Sequence, residues 1–328
     1  MPSKTTLYPL TFQPIFKERV WGGRNLERLY GKELPANVPV GESWEITDRP
    51  EGVSVIVNGP LAGKDLRWLM ENHGEELLGP ARTANGRFPL LVKLLDAQEK
   101  LSLQVHPPQQ KAAALGGEPK TEMWYVADAT PEAEIFVGLK RGATREEFER
   151  RIRDGTVAQC FHRHHIKRGD AMFLPSGRVH ALGAGCVIFE IQQNSDTTYR
   201  VFDWNRVGLD GKPRELHVEQ ALASIDFNDF EPPLLQSGVS ASTDTGILKL
   251  VESPLFSVYV ERGRSHTGAE TGQLGLHLVG VIEGEMQISA GGREVRLKAG
   301  QFCLLPAAVG RVDLWWDAAI TYLVARPR

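Results

Sequence analysis

The sequence predicts a mainly β protein of two barrel-like domains with a few helical insertions. Glycine (33 residues) and proline (20 residues) recur throughout the 328 positions and separate short apolar runs, a composition typical of strands joined by tight turns. Apolar residues at helical spacing are found in few places. A Gly-x5-Pro pattern occurs twice, at 169–175 and 300–306. The repeat indicates one supersecondary unit used in both domains.

The first part of the chain combines strand candidates with three helix candidates. Strand-type runs lie at 53–57, 89–95 and 134–137. Residues 66–78 carry apolar side chains at helical spacing, 144–154 opens with the capping sequence Thr-Arg-Glu-Glu, and 216–225 is the third candidate. We expect these helices to lie on a sheet scaffold.

A loop-like composition at 226–245 predicts a domain boundary. It contains Asn-Asp, Glu-Pro-Pro and a run rich in serine, threonine and glycine. Strand candidates follow at 248–251, 256–261, 275–283, 285–290, 294–297 and 302–305, with a Gly-Gly hairpin turn at 291–292. We therefore divide the chain into domains at 1–235 and 236–328.

Charge and cysteine content exclude several classes of protein. The 38 basic and 41 acidic residues give a net charge of -3, and no basic stripe is present, so we do not expect a nucleic-acid partner. Cys160, Cys186 and Cys303 are far apart in apolar surroundings, which suggests a reducing compartment. No apolar run reaches 18 residues, and none follows Lys4 at the amino terminus. We expect a cytoplasmic protein without membrane contact, as a monomer or small homo-oligomer.

Four side chains suited to metal binding stand at predicted strand edges. Gln104 and His106 are two residues apart and would face the same cavity on a strand. Glu122 begins an apolar, aromatic run, and His180 follows the first Gly-x5-Pro segment. One amide oxygen, two imidazoles and one carboxylate suit Zn²⁺ first, with Mn²⁺, Fe²⁺ or Co²⁺ as substitutes. The second copy has Arg311 in place of His180, so we expect the C-terminal domain to be metal-free.

Several longer motifs occur in a defined order along the chain. They are Leu-Ser-Leu-Gln-Val-His-Pro at 101–107, Pro-Lys-Thr-Glu at 119–122, Pro-Ser-Gly-Arg-Val-His-Ala at 175–181 and Glu-Ile-Gln-Gln-Asn-Ser-Asp-Thr-Thr-Tyr-Arg at 190–200. Together with Val-Trp-Gly-Gly at 20–23 and Gly-Glu-Ser-Trp-Glu at 41–45, they resemble the type I mannose-6-phosphate isomerases (phosphomannose isomerases), short bacterial form. That family belongs to the cupin superfamily, so the resemblance implies two cupin-type jelly-roll β-barrels.

The resemblance also implies an activity and a set of site residues. It implies a metal-dependent aldose-ketose isomerase that interconverts mannose 6-phosphate and fructose 6-phosphate through an enediolate, with one Zn²⁺ per chain on the four ligands above. It places Lys120, Glu190, Asp196 and Arg200 around the sugar, and Ser102 and Arg206 at the phosphate. After Arg200 the chain reads Val-Phe-Asp-Trp-Asn-Arg, where longer family members have a Gly-Phe-Thr-Pro-Lys type sequence.

The residues themselves leave the catalytic base open. An aldose-ketose isomerisation needs a base for a C–H proton and a group that stabilises the enediolate. Glu190 lies in a strand where burial would raise its pKa, and Lys120 would share a face with Glu122, so that a metal would disfavour the lysine charge. Arg200 offers a planar donor fork, and Asp196 could orient it.

Two other functions are compatible with parts of the sequence. The ligand set alone would also suit an iron-dependent cupin oxygenase, which would consume oxygen. The altered segment after Arg200 would suit a non-catalytic cupin that binds sugar phosphates, which a ligand would stabilise without turnover.

Overall fold

The computed structural model describes residues 6–83, 85–235, 246–264, 266–271 and 275–328, the side chains of 266–271 excepted. Within these ranges the chain forms twenty-two strands and five α-helices. The helices are α1 (Asn25–Tyr30), α2 (Leu66–Leu78), α3 (Gln109–Ala112), α4 (Arg145–Arg153) and α5 (Val218–Ser224). Strands dominate, as the sequence predicts.

Thirteen strands precede residue 236. They are β1 (Ile15–Gly23), β2 (Val40–Ile46), β3 (Asp48–Arg49), β4 (Gly52–Val53), β5 (Leu90–Ala97), β6 (Leu103–Val105), β7 (Glu122–Ala129), β8 (Glu134–Leu139), β9 (Phe161–His165), β10 (Ala171–Leu174), β11 (His180–Leu182), β12 (Cys186–Gln193) and β13 (Tyr199–Phe202). One sheet has the order β1-β2-β5-β12-β7-β10 and the other β13-β6-β11-β8-β9, and β3 pairs with β4. We name the two large sheets the first sheet pair.

Nine strands follow residue 245. They are β14 (Gly246–Glu252), β15 (Phe256–Gly263), β16 (His266–Thr271), β17 (His277–Glu283), β18 (Glu285–Ala290), β19 (Arg293–Lys298), β20 (Phe302–Leu305), β21 (Val312–Trp316) and β22 (Ile320–Pro327). Their sheets have the orders β14-β15-β22-β17-β20 and β16-β21-β18-β19. We name them the second sheet pair.

Apolar cores fill the space inside each pair and between the pairs. One core joins Trp124 of the six-stranded sheet to Ile135 of the sheet that faces it. Another core, which includes Val279 and Val324, fills the second sheet pair. A third core lies between the two pairs, where the rings of Phe189 and Phe302 are 5.4 Å apart. Since strand residues alternate between faces, the six-stranded sheet buries apolar side chains on both sides. The pairs are therefore stacked back to back.

Local sequence signals account for the helix boundaries. Asp65 accepts a hydrogen bond from Trp68 N at the start of α2, and Thr144 Oγ1 accepts one from Glu147 N at the start of α4. Each cap satisfies a backbone donor that the first helical turn leaves free. The helices predicted at 66–78, 144–154 and 216–225 are confirmed as α2, α4 and α5, while α1 and α3 were not predicted.

The repeated motif and most strand predictions are also confirmed. The strand predicted at 53–57 is wrong, because only Val53 belongs to a strand, β4, and Val55 and Ile56 form isolated bridges. Both Gly-x5-Pro segments form an edge strand, β10 and β20, and the glycines at 169 and 300 adopt positive φ angles of 89° and 78°. A positive φ favours glycine because it has no Cβ. The predicted boundary includes 236–245, which lie outside the described residues, and the domain division at 235 stays a prediction.

Candidate active site

Three of the four predicted metal ligands converge at the ends of short strands. Glu122 begins β7, His180 begins β11 and His106 follows β6. The His180 Nε2 atom is 3.1 Å from Glu122 Oε1, and the His106 Nε2 atom is 3.4 Å from Glu122 Oε2. All three side chains are buried, and their ligand atoms lie within 4.8 Å of one another. The alternation predicted for 104–106 thus brings His106 to the expected place.

Backbone carbonyls fix the protonation of both imidazoles. His106 Nδ1 is 2.7 Å from the Thr197 carbonyl oxygen, and His180 Nδ1 is 2.9 Å from that of Arg178. Because a carbonyl oxygen can only accept, each Nδ1 carries a proton, which selects the tautomer with the lone pair on Nε2 in the neutral ring. Burial, assisted by Lys120, lowers the pKa of His106 to about 3, which keeps this ring neutral.

The donor atoms fit a divalent cation. Among the described residues, none makes a well-aligned hydrogen bond to His106 Nε2 or to the Glu122 carboxylate, although Lys120 Nζ is 3.0 Å from Glu122 Oε2. Burial raises the pKa of Glu122, but the nearby Lys120 ammonium is the largest opposing influence, and that pKa lies well below its usual range. A buried ionised carboxylate with so few partners is the environment that a metal ion completes.

Gln104 is the fourth predicted ligand and lies beside this group. Its Nε2 atom is 3.3 Å from His180 Nε2, and β6 pairs with β11 through these two residues. A half-turn of the amide exchanges its nitrogen and oxygen, so the oxygen can face the same point. The structure therefore brings all four predicted ligands together.

A cleft of about 670 Å³ opens above the buried group. Lys120 and Gln104 line this cleft and also contact Glu122 and His180, respectively. The other predicted residues on its wall are Ser102, Glu190, Asp196 and Arg200. The cleft is therefore continuous with the metal-compatible group.

Glu190 belongs to a row of paired residues that crosses four strands. Trp44, Lys93, Glu190 and Trp124 pair in that order on β2, β5, β12 and β7. Glu190 Oε2 accepts a hydrogen bond of 2.8 Å from Trp124 Nε1. Burial and the nearby Glu122 raise the pKa of Glu190, while Lys120 and Lys93 oppose this. The row holds a carboxyl group in the cleft wall with increased basicity.

Lys93 and Glu42 were not predicted from the sequence as site residues. Lys93 Nζ lies 3.5 to 3.7 Å from Glu190, Asp196 and Glu42. Burial raises the pKa of Glu42, but Lys93, Arg19 and a 2.7 Å hydrogen bond from a tryptophan outweigh burial and bring it to about 2. The sequence did contain a signal for Lys93, because it is the one charged residue in the apolar run at 89–95. A lysine is seldom buried without an acidic partner, so this position indicated a buried ion pair.

Comparisons with known proteins identify the family. A family model described as "Phosphomannose isomerase type I, catalytic domain" matches residues 10–153. The chain is also 37% identical over 314 residues to mannose-6-phosphate isomerase ManA of Bacillus subtilis, covering 94% of this chain and 96% of that relative. The chain belongs to the type I mannose-6-phosphate isomerase family.

Solved structures agree with this membership. The crystal structure of the mannose 6-phosphate isomerase from Bacillus subtilis superposes with a TM-score of 0.86 at 34% identity, over 97% of this chain and 99% of that one. A zinc-bound mannose 6-phosphate isomerase superposes with a TM-score of 0.75 at 18% identity, over 96% and 98% of the two chains, which shows a shared fold. The cupin-type fold class predicted for this family member is thereby confirmed.

One predicted residue of this isomerase family member does not reach the cleft. Arg206 is absent from the described lining residues, and its Nε and Nη2 atoms donate to Asp203 Oδ1 at 3.1 and 2.9 Å. Its Nη1 donates to the Lys100 carbonyl oxygen. Arg214, which was not predicted from the sequence, lines the cleft and also donates a hydrogen bond to Asp203, the partner of Arg206.

The cysteines and helices bear on the expected surroundings of the protein. Cys160, Cys186 and Cys303 are free and buried, as their apolar neighbours in the sequence suggested. No helix in the described part of the chain is long and apolar enough to cross a membrane.

Proposed function

We propose that this chain interconverts mannose 6-phosphate and fructose 6-phosphate. The observation that carries the proposal is the position of Glu190, a buried carboxyl with a raised pKa, on the same cleft as the metal-compatible group. An aldose-ketose isomerisation needs these two elements together, a base and an electrophilic centre. Membership of the isomerase family supports the same reaction.

We propose one Zn²⁺ per chain, held by Gln104, His106, Glu122 and His180. Two imidazoles, a carboxylate and an amide oxygen are compatible with zinc, and other divalent ions could replace it. When bound, the ion would polarise the substrate oxygens at C1 and C2 and favour negative charge there.

Glu190 is the proposed base, with Lys120 as the alternative. In the direction from aldose to ketose, Glu190 takes the proton from C2, which leaves an enediolate, and the protonated carboxyl returns a proton to C1. A second proton passes from O2 to O1. We propose that Lys120, which lines the cleft and contacts Glu122, donates a hydrogen bond to an enediolate oxygen.

The other polar residues of the wall orient the reacting groups. Arg200 offers charged donors to the enediolate or to the phosphate, with Asp196 and Ser102 on the same cleft. Lys93 balances the charge of Glu190 and keeps its carboxyl in place. Arg206 is better explained as a structural partner of Asp203 than as a phosphate ligand.

We infer the same cellular compartment, type of partner and oligomeric state that the sequence suggested. Three free, buried cysteines suit the cytoplasm, and the near-zero net charge favours a small-molecule substrate over nucleic acid. A monomer or small homo-oligomer, and a C-terminal domain at 236–328 without metal, also stay proposals. The oxygenase and the non-catalytic binding protein are not favoured, since the near full-length relative is named an isomerase.

A coupled assay with metal analysis tests this function. We expect the purified protein to convert mannose 6-phosphate, to lose activity on chelation and to regain it when Zn²⁺ is added. Oxygen electrode traces should stay flat during turnover. If the protein holds one equivalent of zinc and does not interconvert mannose 6-phosphate and fructose 6-phosphate, the proposed function is wrong.

A further inference from the structure

A loop brings Arg214 to the cleft, which Arg19 and Arg200 also line. Residues 203–216 follow β13, and Gly208, Leu209 and Arg214 from this loop line the cleft together with Arg200. The loop is closed by a 2.7 Å hydrogen bond from Gly208 N to the Lys212 carbonyl oxygen. It therefore presents Arg214 from a short, internally bonded turn.

A buried carboxylate holds Arg214 in a fixed plane. Its Nε donates to Asp203 Oδ2 at 2.7 Å and its Nη2 to Asp203 Oδ1 at 2.5 Å. Such a two-point pair fixes the orientation of a guanidinium. No described residue accepts a hydrogen bond from Nη1, so this nitrogen is available to a ligand in the cleft.

Arg206 and Arg214 use Asp203 differently. All three guanidinium nitrogens of Arg206 donate hydrogen bonds, two to Asp203 and one to the Lys100 carbonyl oxygen. Arg206 thus holds the Asp203 carboxylate in position without lining the cleft, whereas Arg214 both binds this carboxylate and lines the cleft. Arg206 therefore has a structural role, and Arg214 is the one of the two that a ligand can contact.

The cluster carries an excess of positive charge. Arg206 and Arg214 both pair with Asp203. Arg200 interacts electrostatically with Arg214 and Asp203, and burial together with Arg214 lowers the pKa of Arg200. Asp203 and Asp196 offset this only in part. The Arg200 Nε atom is buried and has no hydrogen-bond partner among the described residues. A dianion between Arg200 and Arg214 would supply both missing charge and missing acceptors.

We propose that Arg214, together with Arg200, binds the phosphate group of the substrate, and that Arg214 sets the preference for phosphorylated over unphosphorylated sugar. The inference rests on the proposed isomerase function. Guanidinium groups suit phosphate because their planar donors match its oxygens in pairs. Arg214 then takes the role that the sequence had led us to expect for Arg206.

The test compares Arg214→Gln with a matched control, Arg67→Gln. Arg67 also donates to a buried aspartate, Asp48, and its side chain is 27% exposed against 23% for Arg214, but it lies outside the cleft lining. We expect R214Q to lower the ratio of kcat/KM for mannose 6-phosphate to that for mannose by roughly 10- to 100-fold, the loss typical of a charged hydrogen bond. We expect R67Q to keep the wild-type ratio.

Calorimetric titration with inorganic phosphate gives a second readout that needs no turnover. We expect weaker phosphate binding in R214Q than in the wild type and in R67Q. A ratio and a phosphate affinity within twofold of wild type would overturn the inference while leaving the isomerase function intact. If the wild type isomerises neither sugar, the proposed function fails, and the phosphate titration alone decides the role of Arg214. Should R214Q not fold, Arg214→Lys, which keeps the charge and loses the fork, replaces it, with an intermediate ratio expected.

Discussion

Equivalent strands in the two sheet pairs begin with different side chains. Glu122 begins β7 and pairs with Leu174 of β10, whereas His277 begins β17 and pairs with Leu305 of β20. In both pairs the leucine directly precedes the proline of the Gly-x5-Pro segment. The backbone pairing is therefore the same in the two sheet pairs, and the two regions differ in the side chains at equivalent positions.

The neighbouring strands extend this comparison. Trp124, Glu190 and Lys93 are paired across β7, β12 and β5. The equivalent positions on β17, β22 and β15 hold Val279, Val324 and Tyr259. Val279 and Val324 belong to the apolar core of the second sheet pair. The same pattern of strand pairing thus supports either a charged wall, formed by Lys93 with Glu42, Glu190 and Asp196, or an apolar core. The side chains on one face of the sheet determine whether that face forms a reactive site or stabilises the fold.

Replacement of Glu122 should give the largest effect. Glu122→Gln removes the only carboxylate among the four proposed ligands, so we expect loss of bound zinc and a fall in kcat/KM of about 10³-fold or more. The equivalent change in the second sheet pair, His277→Asn, should leave metal content and activity near wild type. Metal analysis and the coupled assay measure both. Full zinc occupancy in E122Q would break the contrast.

Glu190→Gln should separate the base from the metal. The amide keeps the shape of the carboxyl but cannot take a proton, so kcat should fall about 10²- to 10⁴-fold while zinc content stays at one equivalent. Val324→Ala, at the equivalent position, should lower stability instead of kcat because it leaves a cavity. If E190Q retains wild-type kcat, Lys120 becomes the better candidate for the base.

Lys93→Met should destabilise the charged wall. It leaves Glu42, Glu190 and Asp196 without their common cation, and loss of one partner in a buried ion pair costs about 3–5 kcal/mol in the free energy of unfolding. Tyr259→Phe, at the equivalent position, should cost less than about 1 kcal/mol. Urea denaturation of both variants provides the measurement. Addition of Glu42→Gln to K93M should restore part of the loss, and a further loss would contradict the charge argument.

The smallest effect concerns the pH dependence of stability. Burial, together with Arg326, lowers the pKa of His277 to about 4 from a usual value of 6.5, although its hydrogen bond to the Gly275 carbonyl oxygen opposes this. The resulting contribution is complete above about pH 6.5 and is lost as the pH falls towards 4, and it amounts to at most about 3 kcal/mol. Denaturation curves at several pH values should therefore show the wild type losing stability faster than His277→Asn in this window. Parallel curves would refute the assignment.

The sequence predicted the features that depend on neighbouring residues. Two-residue spacing placed Gln104 and His106 on one face, and a local cap marked the helix that begins after Thr144. Lys93 was missed because its meaning depends on the register between β5 and β12, whose strands are almost a hundred positions apart. Arg214 was missed because a loop with little regular pattern places it, whereas Arg206 was expected because the family resemblance implies it at the phosphate.

The amino-terminal segment also sets an order of events during synthesis. Leu10 and Leu304 exchange two backbone hydrogen bonds, of 2.9 and 2.8 Å, although almost the whole chain separates them. The outer face of the six-stranded sheet is covered by residues of the second sheet pair, among them Phe302. Closure of so long a loop is slow, and a nascent chain emerges from its amino terminus. The sheet that carries the charged wall therefore completes its burial only when the last strands have left the ribosome.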